Sequence, residues 1–466
     1  MNVLLLMCDE MSWWALGHVR PFVRTPNIDA LAAGGTRFTA AYTPSPMCVP
    51  TRAAIATGKY VHEIGCWSSA EPYEGTPHSW GHRVQASGAD CVSFGKLHYR
   101  TQTHDTGFDQ QFEPIHVPGG TGWLVGLLRK PLATYTATAE LAEMIGPGET
   151  DYHAFDRRVT NAACSWLADP ARGEKPWAAM VSWMSPHYPL MAPAEYQALY
   201  NPRDFESEAE EIPNHPILRQ MADFFDHDPY FTPETRGIAR AGYYALCTFL
   251  DDQVGKVLDA LEASDQREDT LIIFTSDHGD MLGEKGMWTK QVMYESSARV
   301  PLILSGPQIA PGVVREDPVS LIDLAPTICA AIGQSGRGFS GKDLRQEPLG
   351  SRTVLCEYHD GGSPVGITMV RWNDGGRQWK YVHYAEGHAP QLFDLASDPD
   401  EISDLAAAMP DVCAEAFQRL SRWMDPEAVN THAHQDQAAQ IESLGGRAKI
   451  LEEPQWNFTA VGQGEG

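Results

Sequence analysis

The chain has 466 residues, 43% of them hydrophobic, enough for a sizeable core and, by length alone, for two or three domains. Its formal net charge of -26 argues against nucleic acid or an anionic membrane as a partner, since both would repel it. Nine scattered cysteines, odd in number and without C-x-x-C spacing, exclude a disulfide framework and suit a reducing compartment.

In chain order the first element is Asn2-Val3-Leu4-Leu5-Leu6-Met7-Cys8, a continuous apolar run of strand length that ends in Asp9-Glu10. It follows Met1 directly, with no basic segment or cleavage site, so no secretory signal is expected and the expected location is cytoplasmic. No apolar run approaches the roughly 18 to 20 residues that cross a bilayer. Cys48-Val49-Pro50-Thr51-Arg52 opens a predicted helix, with Pro50 in its first turn and Gly58 as its stop. Residues 103 to 155 are poor in regular pattern and rich in Gly, Thr and His, which reads as an insertion near the mouth of a site. A helix around Gly242 to Cys247 leads to Asp251 and Asp252. Leu271-Ile272-Ile273-Phe274-Thr275-Ser276 then repeats the grammar of the first strand and ends in Asp277-His278-Gly279. From about residue 350 the pattern changes to short alternating runs, 368 to 372 and 379 to 384, joined by Asn373-Asp374-Gly375-Gly376, a hairpin signal. A helix near Pro410 to Trp423 follows, and then a tail with one helix-like piece, Gln437 to Leu444, broken by Gly445-Gly446.

Runs apolar on both faces suit strands of a parallel sheet covered by helices. The predicted fold is α/β, a large mixed but mostly parallel sheet over residues 1–340, with a small α+β subdomain at 350–425 and a tail at 426–466. Ligands of such sheets gather beyond the carboxyl ends of the strands, so Asp9, Asp277 and His278 are expected to converge as a divalent-cation site. Cys48 falls at a helix N-terminus, where free N–H groups and the positive dipole end favour an anion, and Arg52 points back toward the same spot. Taken singly, each has a plainer reading. A free Cys is usually a small core residue, and a strand-end acid is often a helix cap. Trp13 and Trp14, just past the first strand, permit an aromatic or cationic substrate to pack there, although large aromatics more often belong to the core.

The run at 48–52 resembles the C-x-P-x-R signature of the type I sulfatases, in the alkaline phosphatase superfamily. Other family elements follow in order: Gly95-Lys96-Leu97-His98 matches G-K-x-H, Ser185-Pro186-His187-Tyr188-Pro189 contains P-H-x-P, and Lys290 follows the Asp-His pair. Thr25-Pro26-Asn27-Ile28-Asp29-Ala30-Leu31 resembles the family's first helix. The likeness spans roughly residues 1 to 405 and looks most like choline sulfatases and phosphonate monoester hydrolases, because His278 stands where many arylsulfatases carry Asn. Two positions depart from the pattern. Glu10 replaces Asp, Asn or Gln, as a longer-armed metal ligand or a hydrogen-bond partner of the substrate, and Ser68 replaces an Asn of choline sulfatases, so choline is not carried over as substrate.

What the resemblance implies is an enzyme that hydrolyses sulfate monoesters. Cys48 is oxidised to formylglycine by a separate formylglycine-generating enzyme, and its hydrated aldehyde attacks sulfur. Asp9, Glu10, residue 48, Asp277 and His278 hold one divalent ion, with His278 tilting the choice toward Mn2+ over Ca2+. Arg52, Lys96 and Lys290 supply positive charge, and His187 or His98 protonates the leaving oxygen. A phosphonate monoester or phosphodiester hydrolase on the same site is the alternative, and a non-catalytic anion-binding relative a minor one. The partners implied are a small anionic ester and a second copy of the chain, with Trp456 and Phe458 of the tail suited to docking on a neighbour.

Overall fold

Asn2–Asp9 is buried along its whole length at the middle of an eight-stranded sheet. The order across the sheet is Val313–Arg315, Thr36–Phe38, Leu302–Ser305, Thr270–Ser276, Asn2–Asp9, Trp177–Pro186, Asp90–Lys96 and Gln110–Ile115. The last five strands are parallel, and Leu302–Ser305 runs antiparallel to both of its neighbours. This is the mixed, mostly parallel α/β sheet that the two apolar runs predict. The computed structural model describes residues 1–170, 173, 175–346 and 349–452, so Trp456 and Phe458 lie outside the described residues.

Alternate side chains of the central strand enter different cores, as a two-sided strand requires. Leu4, Leu6 and Cys8 pack with the helices Asp151–Ala168 and Pro233–Ala263. Val3, Leu5 and Met7 pack on the opposite face with Cys48–Thr57, Trp80–Ala86 and Leu324–Ala331. Asp251, on the long helix, accepts from the backbone N–H groups of Asn27 and Ile28 and so caps Pro26–Ala33.

The later part of the chain forms a four-stranded antiparallel sheet, Thr353–Tyr358, Ile367–Asp374, Arg377–Tyr384 and Gln391–Asp394 in that order. Its predicted hairpin turns at Gly375 and Gly376, both left-handed at φ 55 and 81, the geometry of a two-residue type I′ turn. Pro410–Leu420 packs Ala416 and Leu420 against this sheet. The tail helix is longer than its sequence suggests: it runs Pro426–Ser443, and Asp425 caps it by accepting from Glu427 and Ala428 N–H. Among the described residues no helix is long and apolar enough to cross a membrane, and none of the nine cysteines is disulfide-bonded.

Candidate active site

Four neighbouring parallel strands end level with one another. Cys8 stands in register with Ser276, which sets Asp9 beside Asp277. Ser182 pairs with both Met7 and Gly95, which brings Lys96 and the segment around His187 to the same edge. The helix Cys48–Thr57 aims its N-terminus at this edge, with no side-chain cap from Met47 and with Gly58 at φ 61 closing its other end.

Cys48 Sγ lies 3.0 Å from His278 Nε2 and 3.6 Å from Asp9 Oδ1. His278 Nδ1 faces the Gly279 carbonyl at 3.1 Å. A carbonyl only accepts, so Nδ1 carries the proton and Nε2 turns its lone pair toward Asp9, Asp277 and residue 48. One ligand atom each from Asp9, Cys48, Asp277 and His278 all fall within 4.8 Å of one another, and all four residues are buried. Two carboxylates, an imidazole lone pair and a sulfur so gathered fit a divalent cation.

Glu10 stands outside that group of four and forms a second one with Asp9 and His187. Its Oε2 accepts from Lys290 Nζ at 2.7 Å and lies 3.2 Å from His187 Nε2, while the buried Oε1 has no hydrogen-bond partner. The Glu10 backbone is left-handed at φ 71. Tyr243 holds it there, its hydroxyl donating to Glu10 O and accepting from Ser12 N, each at 2.8 Å.

The Arg52 guanidinium makes no hydrogen bond to the Cys48 side chain and instead lies beneath the carboxylates. Its Nε donates to Asp277 Oδ2 at 2.8 Å, and its Nη1 donates to Lys96 O at 2.7 Å and Ser182 Oγ at 2.9 Å. Lys96 Nζ is paired directly with Asp9. Burial works against the Asp9 charge, but Lys96 foremost, with Arg52 behind it, holds it well below the usual carboxylate range. Burial likewise opposes the Lys290 ammonium, and Glu10 with the other acidic neighbours keeps it charged.

His187 Nδ1 donates to Tyr188 O at 2.7 Å, which leaves Nε2 to accept from Lys290 Nζ at 2.9 Å. Burial and then Lys290 hold this imidazole neutral. Burial and then Lys96 do the same for His98, whose backbone is left-handed at φ 53.

A pocket opens from this cluster. Cys48, His98, His187 and Lys290 form its floor, and Trp123, Tyr135, Tyr188, Phe225 and His227 its aromatic wall. Among the described residues lining it there is no Asp, Glu or Arg. The 103–155 stretch reaches the mouth as predicted, through Val117, Gly122, Trp123 and Tyr135. Tyr135, Phe225 and His227 carry no sequence signal that separates them from core aromatics. Trp13 and Trp14 do not line the pocket: Trp14 is buried against Tyr243 and Tyr244, and Arg299 stacks on Trp13 at 3.7 Å. Ser68 Oγ accepts from Ala70 N at 3.2 Å, and its neighbour Ser69 is the one that lines the pocket.

A sheet of this topology, with its polar residues gathered at one edge, has the sulfatase-like α/β fold. The family model described as Sulfatase matches residues 1–334, and one described as N-sulphoglucosamine sulphohydrolase, C-terminal, matches 283–425. A choline-sulfatase of Rhizobium meliloti is 30% identical over 472 residues, covering 94% of this chain and 89% of the relative. Human arylsulfatase K is 28% identical over 466 residues, covering 93% and 84%. Phosphonate monoester hydrolase SpPMH from Silicibacter pomeroyi shares the fold with a TM-score of 0.72 at 24% identity, covering 90% of this chain and 94% of that one. The chain belongs to the sulfatase family and is a sulfuric ester hydrolase.

Proposed function

We propose that the enzyme hydrolyses sulfate monoesters with an uncharged, ring-bearing leaving group, using residue 48 after its oxidation from cysteine to formylglycine by a separate maturation enzyme. The observation that carries this reading is the place of Cys48: at an uncapped helix N-terminus, 3.0 Å from His278 and on the floor of the aromatic pocket. As a thiol it is a weak nucleophile, since burial and then Asp9 push its pKa up to about 12. Formylglycine supplies, when hydrated, one hydroxyl to attack sulfur and a second whose deprotonation expels sulfate. Asp9, Asp277, His278 and residue 48 would hold a divalent cation, which would supply Lewis-acid charge to the site.

The remaining groups act on the sulfuryl oxygens and on the leaving oxygen. Lys290 is the cation on the pocket floor, and its ammonium is positioned to meet the sulfuryl oxygens. His187 Nε2 accepts from Lys290 and its Nδ1 is bound to Tyr188 O, so the proton for the departing oxygen is stored on Lys290, which His187 orients, and passes to it directly. Lys96 and Arg52 keep Asp9 ionised from behind, and Arg52 pairs with Asp277. The wall of Trp123, Tyr135 and Phe225 offers ring faces and no ionic partner. A quaternary ammonium finds no carboxylate there, and the face of Tyr188 already has Lys290 Nζ over it at 4.8 Å.

The test is kcat/KM for an aryl sulfate, an aryl phosphonate monoester, a phosphodiester and a phosphate monoester on one preparation of matured enzyme. The aryl sulfate is expected to lead. A clear preference for the phosphate monoester overturns the reading, and a preference for the phosphonate monoester or diester moves the same site to phosphorus.

A further inference from the structure

The wall that faces the leaving group does not stand on the catalytic sheet alone. Its residues Ser69, Gly122 and Trp123 belong to two loops joined where Trp123 N donates to Ser69 O at 3.3 Å. Behind these loops lie the tail helix Pro426–Ser443 and the short helix Arg447–Ile450, neither of which contributes a residue to the pocket lining. Three side chains of this pair reach forward. Gln440 Nε2 donates to Ala70 O at 2.7 Å, next to Ser69. Arg447 donates to Pro131 O at 2.8 Å and to Leu132 O at 3.1 Å. Gln437, only 1% exposed, uses both ends of its amide: Nε2 donates to His359 O at 2.8 Å, and Oε1 accepts from Arg129 Nη1 at 3.1 Å.

Those two contacts of Gln437 join the two stretches of chain that support the wall. Arg129 is itself 1% exposed and donates from Nε to Ser363 O at 2.8 Å. Asp360, next to His359, accepts from both the N–H and the hydroxyl of Ser69 at 2.7 Å. Apolar contact completes the connection, since Ile441, Leu444 and Ile450 pack into the same cluster as Trp123 and Tyr135. A buried guanidinium holds its direction only while its acceptors are in place, and Gln437 is one of them.

We infer that the tail helix is the positioning element of the leaving-group wall, with Gln437 as its positioning residue: it fixes Trp123 and Tyr135 for a ring-bearing group and takes no part in the sulfuryl chemistry. The inference rests on the proposed leaving-group class. It predicts a change of selectivity, which a residue that merely stabilises the fold does not produce.

The experiment measures binding of benzenesulfonate and of methanesulfonate, two unreactive anions that differ only in the ring, to the full-length protein by calorimetry, alongside kcat/KM for phenyl and methyl sulfate. In Gln437→Leu and Gln440→Leu, affinity for benzenesulfonate is expected to fall about tenfold, the scale of one misplaced aromatic contact. Affinity for methanesulfonate should change less than about twofold. Gln437→Glu, which keeps an acceptor for Arg129, is expected to recover part of the loss. Gln440→Leu, at a half-buried position, serves if Gln437→Leu fails to fold. Equal losses for both anions, or no loss for either, overturn the inference. Because binding is read without turnover, a wild-type protein that binds benzenesulfonate selectively but hydrolyses no sulfate ester refutes the proposed reaction and leaves the positioning role standing.

Discussion

Arg52 Nε and Asp277 Oδ2 lie 2.8 Å apart, both residues at most 1% exposed, so one ion pair fastens the helix carrying residue 48 to the strand end carrying Asp277. That makes Asp277 a double point of dependence. Asp277→Ala is expected to remove bound divalent metal and activity together, and to destabilise the protein by up to about 3 kcal/mol, because the buried guanidinium loses its 2.8 Å carboxylate partner and keeps only Asp9 at 4.0 Å. Asp277→Asn keeps an acceptor for Arg52, so it should lose the metal with a smaller stability loss. Elemental analysis and urea unfolding separate the two effects. Stoichiometric metal surviving Asp277→Ala would place the ion elsewhere.

Cys48 should carry the activity in its oxidised form. Peptide mass analysis of protein made with a maturation enzyme is expected to show a loss of about 18 Da at this position, the thiol carbon having become an aldehyde. Cys48→Ala should lower turnover by at least about a thousandfold while leaving the fold intact, since the side chain is small and Ala fits its space. Near-full turnover in that variant defeats the nucleophile assignment.

How much of this was legible in the sequence depends on what each residue does. Asn2–Asp9 and Thr270–Ser276 could be read as strands because both faces are buried, and their terminal acids converge because parallel neighbours in register end together. Cys48, Lys96, His187 and Lys290 were found through motif context. The wall was not. Tyr135 and Phe225 are separated by 89 intervening residues and meet only through folding, and an aromatic on a wall has the same local signature as one in a core. The tail helix was underestimated for a related reason: its residues are polar around much of the circumference, so no apolar stripe marks Pro426 to Gln437, and only the Asp425-Pro426-Glu427 start signal does.

The small sheet is pinned to the catalytic domain by a second buried pair with a predictable acid limb. His62 Nδ1 lies 2.8 Å from Glu357 Oε1, and His359 approaches the same carboxylate at 3.6 Å. Burial opposes the Glu357 charge, but His62 and His359 bring its pKa down to about 2 from an ordinary 4.5. A depressed carboxylate contributes stability that is present above pH 4.5 and is lost as pH falls toward 2, here roughly 3 kcal/mol. His62 is shifted the other way, upward, so its contribution is complete below 6.5 and fades as pH rises through its raised value. Glu357→Gln is therefore expected to flatten the acid limb between pH 4.5 and 2 and to lower the His62 pKa, since burial, the largest influence on that ring, then loses its main opponent. Urea unfolding against pH, with His62 followed by NMR, checks both, and an acid limb unchanged in the variant assigns that stability to other carboxylates.

On the proposed reaction, Glu10 is expected to set the charge balance that separates sulfate from phosphate esters. Burial pushes the Glu10 carboxyl up, but Lys290 Nζ at 2.7 Å opposes that and is itself held charged by Glu10, so the two stand as an ion pair; with Arg52 on Asp277 and Lys96 on Asp9, these six side chains sum to zero. A divalent ion raises the total to plus two, and an ionised hydroxyl on residue 48 lowers it to plus one, which matches a sulfate monoester better than a phosphate monoester with nearly two negative charges. Glu10→Gln adds one positive charge and frees Lys290 from its carboxylate partner without removing any of the four clustered donors Asp9, Cys48, Asp277 and His278. The ratio of kcat/KM for aryl phosphate over aryl sulfate is then expected to rise about tenfold, or about 1.4 kcal/mol, well within the range of one unit charge acting over a few ångströms. Bound metal should stay at the wild-type level, which distinguishes a change of charge from the loss of a ligand. A ratio that stays flat or falls in Glu10→Gln, with metal retained, means that charge at Glu10 does not decide the substrate.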